Sequence, residues 1–307
     1  MLQSFITVGQ QIITLYLLLA VGFLIGKVKL IDEVGSTSLS GLVMYVVTPC
    51  MTLVAYQRPL EHDSLHGFLI VAAVSLVLHL LFIAASMLIR SEDKHRQGAL
   101  RFATIFTNCG YMGYPLMTAL LGSIGVFYGT AYVLVFTLLS WTVGVYIHTG
   151  DRNRLKLRPL ILNPGVIGTV VAMALYLMQI TIPEILMVPV RYIADLNTPL
   201  PMIVVGCQLS RADFRKALRD TTSWLAMGLR LVALPLLSLA VCLLFHVPHD
   251  LSLVLVIAAS APPAALLSMF AAKFGGDTAL TSSMVSVQTA FSALTMPIMV
   301  GLAQYLC

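Results

Sequence analysis

The stretch that decides the fold is Asn108-Cys-Gly-Tyr-Met-Gly-Tyr-Pro115, at the centre of the mostly apolar run from Arg101 to Gly122. Pro115 removes a backbone donor and clashes with the carbonyl four residues earlier, while Gly110 and Gly113 lower the cost of leaving helical geometry. Interrupted backbone is tolerated at membrane depth only where it is packed in protein or lines a cavity. The stretch therefore predicts a broken membrane helix with a polar binding place at the break.

A second interruption, Ser260-Ala-Pro-Pro263, lies in a later apolar run. Interrupted segments in corresponding positions of two halves indicate a transporter binding site. If the two helices cross, the half-helices that begin there direct unpaired N–H groups at one place, which favours an anion. The residues predicted to contact substrate at this crossing are Asn108, Gly110, Tyr111, Gly113, Tyr114, Pro115, Ser260, Pro262 and Pro263. For Asn108, capping the break and contacting the ligand both stay open, and one residue could do both. For Tyr111 and Tyr114, each taken alone, ordinary packing is favoured.

The composition places the chain in a lipid bilayer. Of its 307 residues, 59% are hydrophobic and 10% are charged, whereas a soluble domain carries about a quarter charged residues. The net charge of +5 does not indicate nucleic-acid binding, because the basic residues lie in short links between apolar runs. The five cysteines have no metal or redox spacing, and we expect no cofactor. The first apolar run lacks a cleavage site, so we expect it to be retained as a span.

Apolar runs of about 20 residues predict ten spans. They are residues 5–26, 37–56, 66–89, 99–121, 124–148, 163–181, 188–209, 222–245, 250–273 and 278–305. All lysines and arginines except Arg58, Arg191 and Arg230 lie in the odd-numbered links or at the span ends beside them, which places those links in the cytoplasm and both termini outside. We expect a multi-pass protein of the plasma (inner) membrane.

Five spans per half require the second half to insert upside down relative to the first. Thr48-Pro49 in the second span echoes Thr198-Pro199 in the seventh, and the fourth and ninth spans both carry breaks. These features predict an all-α integral membrane protein of two inverted five-helix repeats, residues 1–149 and 150–307, with the broken fourth and ninth helices crossing. Further candidates for the substrate site are Thr48, Pro49, Asn197, Thr198, Pro199 and Gln288.

Ionisable residues within spans are candidates for proton or ion coupling. Asp195 precedes the interrupted stretch of the seventh span, Arg230 lies within the eighth and His79 lies near the middle of the third. Asp195 takes up a proton in each cycle or pairs with Arg230, and both alternatives stay open. For His79 the interpretation as a hydrogen-bonded core histidine is favoured over a coupling role.

Several motifs together resemble those of the auxin efflux carrier family over the whole chain. The residues are Asn108, Met112, Gly113 and Pro115 in the fourth span, Asn163-Pro164 in the sixth, Gly206 and Leu209 in the seventh, Ala261-Pro262 and Phe270–Lys273 in the ninth, and Thr295–Pro297 in the tenth. The long loop of the larger plant carriers is absent. Pro263 stands where plant members usually have a polar residue, which argues against auxin itself.

The resemblance implies an elevator-type carrier. Helices one, two, six and seven would form a dimerising scaffold, and helices three to five and eight to ten a transport domain. Asn108 would match the family asparagine that contacts a substrate carboxylate. Pro115 and Pro262 would match the family prolines where the fourth and ninth helices cross. We therefore expect a homodimeric secondary transporter of a small organic anion, a mono- or dicarboxylate or auxin-like acid, with H⁺ or Na⁺ as possible coupling ions. The rivals are an ion-coupled exchanger or sodium/proton antiporter without an organic substrate, and a sensing receptor that keeps the fold. No catalytic motif indicates an enzyme.

Overall fold

The computed structural model describes residues 2–151, 153, 162–211, 221–274 and 276–307. Within these ranges the regular elements are helices, accompanied by one isolated β-bridge between Thr107 and Pro263. The helices are α1 (Leu2–Lys27), α2 (Glu33–Tyr56), α3 (His62–Ser86), α4 (Lys94–Ile105), α5 (Cys109–Thr149), α6 (Pro164–Leu177), α7 (Glu184–Asp195), α8 (Pro199–Leu209), α9 (Thr222–Leu244), α10 (His249–Ser260), α11 (Leu266–Phe274) and α12 (Thr278–Leu306). Seven basic residues used above to orient the chain lie outside the described residues: Arg152, Arg154, Lys156, Arg158, Arg215, Lys216 and Arg219.

Five helical segments among the described residues are long and apolar enough to cross a membrane. They are α2, α3, α5, α9 and Leu280–Leu306 of α12. Three shorter apolar helices accompany them, namely Ile13–Lys27, Pro164–Leu177 and His249–Ser260. The prediction of an all-helical membrane protein is confirmed at this level.

Three of the predicted spans are each built from two helices. The run 99–121 contains the end of α4, a break at residues 106–108 and the start of α5. The run 188–209 contains α7 and α8, which are separated at residues 196–198, and the run 250–273 contains α10 and α11. At the ends of α4 and α10 the backbone becomes extended, at Phe106 and Ala261, whereas α7 and α8 are separated only by a turn in which Leu196 and Thr198 keep right-handed helical φ and ψ.

The first break does not lie at Pro115, where the sequence argument placed its cause. Pro115 lies at the beginning of the regular α-helical part of α5, and a π-helical turn, Cys109–Gly113, precedes it. Pro115 lies six residues after the first residue of α5, and the wider π-helical turn before it accommodates its missing backbone donor without ending the helix. The chain breaks earlier, at residues 106–108.

Gly122 divides α5 into two helices. Its φ of 65° and ψ of −149° lie in a region that residues with a Cβ rarely adopt. The division falls between the fourth and fifth predicted spans.

Thr48-Pro49 does not interrupt α2, unlike its sequence counterpart Thr198-Pro199. A π-helical turn, Val43–Val47, precedes Thr48, and the Thr48 N–H donates to the Val43 carbonyl five residues earlier. This wider turn accommodates the missing donor of Pro49 without ending the helix.

Two close helix contacts fix the packing around the breaks. α1 runs along α8 so closely that a Cβ on Gly206 would collide with the Leu19 carbonyl oxygen, and one on Gly22 with that of Ile203. α10 lies at the centre of a second group formed with α3, α5, α9 and α12, and its residues from Leu251 to Ser260 are all buried. The most buried helix therefore leads directly into the break at Ala261.

Candidate functional site

The breaks before α5 and after α10 lie side by side and antiparallel. The Asn108 N–H donates to the Pro262 carbonyl over 2.7 Å, and the Ala264 N–H donates to the Phe106 carbonyl over 2.9 Å. Thr107 and Pro263 form the isolated bridge between these two bonds. The pairing satisfies backbone groups that the breaks would otherwise leave unpaired in a buried place. We call this paired segment, residues 106–108 and 261–265, the crossover.

The α5 helix begins at the crossover without a side-chain cap. Asn108 is the residue before its first turn, but its side chain makes no capping hydrogen bond there. Of the two alternatives for Asn108, capping of the break is therefore not what the structure shows. Asn108 is 8% exposed, and a Cβ on the neighbouring Gly110 would meet nothing within 4 Å. The first turn of α5 thus adjoins open space at Gly110, two residues after a neutral amide that can donate and accept.

Other residues predicted at the crossover are held by packing or by their own helix. Tyr114 is 2% exposed and packs against Gly129, and a Cβ on Gly113 would lie 3.4 Å from the Met117 methyl carbon. The Ser260 hydroxyl donates to the Val256 carbonyl over 2.6 Å. Pro115, Pro262 and Pro263 are buried backbone determinants. Their side chains support the crossover and do not line the open space beside Gly110.

Tyr111 connects the crossover to α2. Its hydroxyl donates to the Ser40 carbonyl over 2.9 Å, and its side chain is partly exposed. Tyr111 therefore lies at the boundary between α5 and α2, with its hydroxyl already bound to protein. Of the two predicted tyrosines, Tyr111 is the partly exposed one and Tyr114 is buried.

A cavity of about 170 Å³ lies between α2, the part of α5 around Gly122 and the α7–α8 break. Its polar lining residues are Thr118, Ser123, Asp195, Asn197 and Thr198, and its apolar ones are Met51, Val54, Ala55, Val126 and Ala194. The structure thus brings three of the sequence candidates to one cavity. Sequence reasoning missed Thr118 and Ser123, although their position beside the Gly122 turn was a usable signal.

Thr48, Pro49 and Pro199 are partly exposed. The ring of Pro49 points at α6, where a Cβ on Gly168 would lie 3.2 Å from the Pro49 Cβ. Pro199 begins α8 and so serves the restart of that helix. Pro49 therefore belongs to the α2–α6 contact, and its position facing the crossover stays a prediction.

Arg230 is completely buried, and its guanidinium binds backbone carbonyls at the crossover. Nη1 donates to Thr104 O over 2.9 Å and to Ile105 O over 3.2 Å, and Nη2 donates to Ala259 O. These carbonyls belong to the last turns of α4 and α10. Arg230 therefore does not pair with the exposed Asp195, and the ion-pair alternative for these two residues is wrong.

His79 and Gln288 are also buried. The His79 Nδ1 lies 2.7 Å from the Ser75 carbonyl, while its Nε2 has no hydrogen-bond partner within the described part of the chain. The His79 ring packs against the rings of Tyr132 and Phe82, at 5.1 and 5.9 Å. Gln288 is 2% exposed, and its Oε1 has no partner among the residues that the structure describes. His79 is thus a core histidine with one ring nitrogen satisfied.

Known proteins resemble this chain over nearly its whole length. The family described as membrane transport protein matches residues 7–300. An uncharacterized transporter of Methanothermobacter thermautotrophicus is 23% identical over 313 residues, which cover 94% of this chain and 96% of that protein. An uncharacterized transporter of Methanocaldococcus jannaschii is 22% identical over 299 residues, with coverages of 92% and 94%.

Proposed function

Because the chain belongs to the membrane transport protein family, of the auxin efflux carrier type expected from its motifs, we propose that it carries a small organic anion by alternating access. The family and the similar proteins are membrane transporters, so the protein is a transporter and not an enzyme. The proposed substrate is a mono- or dicarboxylate. The proposed binding place is the open space beside Asn108 and Gly110 at the crossover.

The observation that carries this proposal is the uncapped start of α5 beside that open space. A helix N-terminus bears about half a positive elementary charge, and its free N–H groups are ready donors for a carboxylate. Asn108 adds an amide that can donate to the same ligand. At the opposite ends of the broken helices, Arg230 already binds the carbonyls of α4 and α10. In this proposal the positive N-terminal end of α5 faces the ligand. The negative C-terminal ends of α4 and α10 are bound by Arg230 inside the protein.

We propose ten spans arranged as two inverted repeats. The support is the helix pattern: the fourth, seventh and ninth predicted spans are each interrupted, and the fourth and ninth interruptions pair with each other. In this arrangement α1, α2, α6, α7 and α8 form the scaffold, and the other helices form the transport domain. The location in the plasma membrane, the outside position of both termini and homodimerisation belong to the same proposal.

An elevator movement would displace the transport domain along the scaffold. Among the described helical residues, three polar side-chain contacts connect these two groups: Tyr56 OH with Thr130 Oγ1 at 2.5 Å, Tyr111 OH with Ser40 O at 2.9 Å, and Tyr16 OH with Ser292 Oγ at 3.4 Å. Few polar contacts at such a boundary suit a surface that must slide. The contacts would break and reform in each cycle.

Asp195 is the residue that we propose for proton coupling. It is exposed at the 170 Å³ cavity, beside Asn197 and Thr198 of the α7–α8 break. His79 is less suited to this role, because it is completely buried and packed between aromatic rings.

The test is a thermal-shift screen of the purified protein against carboxylates, followed by counterflow in liposomes. A ligand at about a hundred times its dissociation constant adds about 2.7 kcal/mol to the free energy of unfolding. Asn108→Ala should abolish this shift and counterflow with unchanged basal stability, because the Asn108 side chain caps nothing.

Asn163→Ala is the matched control. The Asn163 side chain caps α6 by accepting from Gly165 N and Val166 N, so its loss should cost about 0.5–2 kcal/mol of stability while the ligand shift remains. Counterflow by Asn108→Ala at the wild-type rate would remove Asn108 from the site. If only sodium or pH stabilises the protein, and no carboxylate does, the ion-exchanger function replaces the proposed one.

A further inference from the structure

We propose that the guanidinium of Arg230 is a built-in cation at the crossover, and that it takes the place of a metal cation that would otherwise be co-transported with the anion. This inference rests on the proposed transport function. It adds that binding and transport of the carboxylate need no sodium, lithium or potassium ion at the crossover.

The geometry places one positive charge where two helices end. Arg230 donates to two carbonyls in the last turn of α4 and to one in the last turn of α10, so a single guanidinium joins both half-helices that lead into the crossover. Its side chain is fully buried, and the guanidinium carbon lies 5.3 Å from the centre of the Phe82 ring. The π-helical turn Leu229–Ala233 holds the residue in α9.

The charges at this place balance without a carboxylate. Each helix C-terminus bears about half a negative elementary charge, so two of them match the single charge of one guanidinium. Carbonyl oxygens at helix ends are also the groups that coordinate small cations in transporters with broken helices. Among the described residues, the ion pairs found do not include Arg230. An arginine stays protonated in proteins, so this cation is always present.

A tethered cation differs from a dissolved one in what it does to transport. Arg230 returns with the protein in each cycle, so it adds no ion to the transported stoichiometry and takes no energy from an ion gradient. If the side chain is shortened, the carbonyls of Thr104, Ile105 and Ala259 lose their common donor. A dissolved cation of the same shape could then occupy the vacated place and move with the substrate.

The experiment replaces the tethered guanidinium by a free one. Arg230→Ala is expected to lose carboxylate uptake by at least about tenfold, because several charge-assisted hydrogen bonds disappear together. Millimolar guanidinium should restore uptake and raise the melting temperature of this variant. An inward guanidinium gradient should also drive carboxylate accumulation by Arg230→Ala and leave accumulation by the wild type unchanged. If Arg230 has only a structural role, guanidinium should restore the stability of Arg230→Ala but should not drive carboxylate accumulation.

Two further variants keep the result interpretable. Arg230→Lys retains the charge and should keep measurable uptake without added cation. Arg191→Ala removes an exposed arginine that pairs with Glu184, and guanidinium should change nothing in that variant. If Arg230→Ala does not fold, wild-type uptake in sodium, potassium and choline salts gives the answer, since equal rates in all three agree with the proposal.

The proposal is overturned if wild-type uptake requires a metal cation, or if guanidinium neither stabilises Arg230→Ala nor drives its uptake. Failure of the proposed function looks different. In that case no carboxylate shows counterflow in any salt. The stabilisation of Arg230→Ala by guanidinium still shows whether the cation-binding site exists.

Discussion

Gly110→Ala should separate the stability of the protein from its affinity for the anion. Gly110 lies in the first turn of α5, where a Cβ would meet nothing within 4 Å. The fold has room for the added methyl group, and its φ is outside the left-handed region that disfavours alanine. That room is the same open space in which we place the carboxylate. The added methyl group should therefore favour the helix and displace the ligand.

The two effects have opposite signs and comparable sizes. Replacing a helical glycine by alanine stabilises a helix by about 0.5–1 kcal/mol. A carboxylate pushed away from the first-turn N–H groups loses at least one charge-assisted hydrogen bond, which is worth about 1.5–3 kcal/mol. Since every 1.4 kcal/mol is a factor of ten, the dissociation constant should rise about 10- to 150-fold.

The assay combines melting temperature without ligand and carboxylate affinity by titration. Gly228→Ala is the matched control. A Cβ on Gly228 would also meet nothing within 4 Å, but Gly228 lies on the exposed face of α9. Gly228→Ala should leave the affinity unchanged. An unchanged affinity in Gly110→Ala, or an equal loss in both variants, would refute our placement of the anion at the start of α5.

Three further predictions test other parts of the molecule. Gly206→Ala should lower stability by about 1–3 kcal/mol in a thermal melt, because its Cβ would collide with the Leu19 carbonyl oxygen; an unchanged melting temperature would contradict the close α1–α8 contact. Tyr56→Phe removes the hydrogen bond to Thr130, worth about 0.5–1.5 kcal/mol, and should speed counterflow by about 2- to 12-fold if leaving this conformation limits the rate; a slower rate would argue against that step. Asp195→Asn should abolish the stimulation of uptake by a pH gradient, because an amide cannot take up a proton, and a retained response would exclude Asp195 from coupling.

Sequence reasoning located the crossover but assigned its cause to the wrong residue. A proline in an apolar run predicts a helix break nearby, yet a helix can also continue through it where a π-helical turn removes the need for its donor. Pro115 follows such a turn, and the chain breaks at residues 106–108 instead. Pro262 and Pro263 do lie in the break, because no helix begins until Leu266.

The role of Arg230 could not be read from the sequence, because its partners are backbone carbonyls of two distant segments. Pairing rules match charged side chains with each other, so they suggested Asp195. Only the paired breaks bring Thr104 and Ala259 to the same guanidinium. The same limit applies to Pro49, whose contact with Gly168 depends on how α2 and α6 pack.

The crossover explains how this transporter accommodates a fully buried arginine. Three backbone carbonyls accept hydrogen bonds from its Nη1 and Nη2, so Arg230 is held without a carboxylate, which would repel the proposed anionic substrate. The bonds Asn108 N to Pro262 O and Ala264 N to Phe106 O hold the two half-helix ends together, which keeps these carbonyls within reach of one side chain. The start of α5 remains free of both the arginine and a capping side chain. Breaking the chain at residues 106–108 thus separates a protein-bound negative end from an open positive end, and this separation favours a negatively charged ligand.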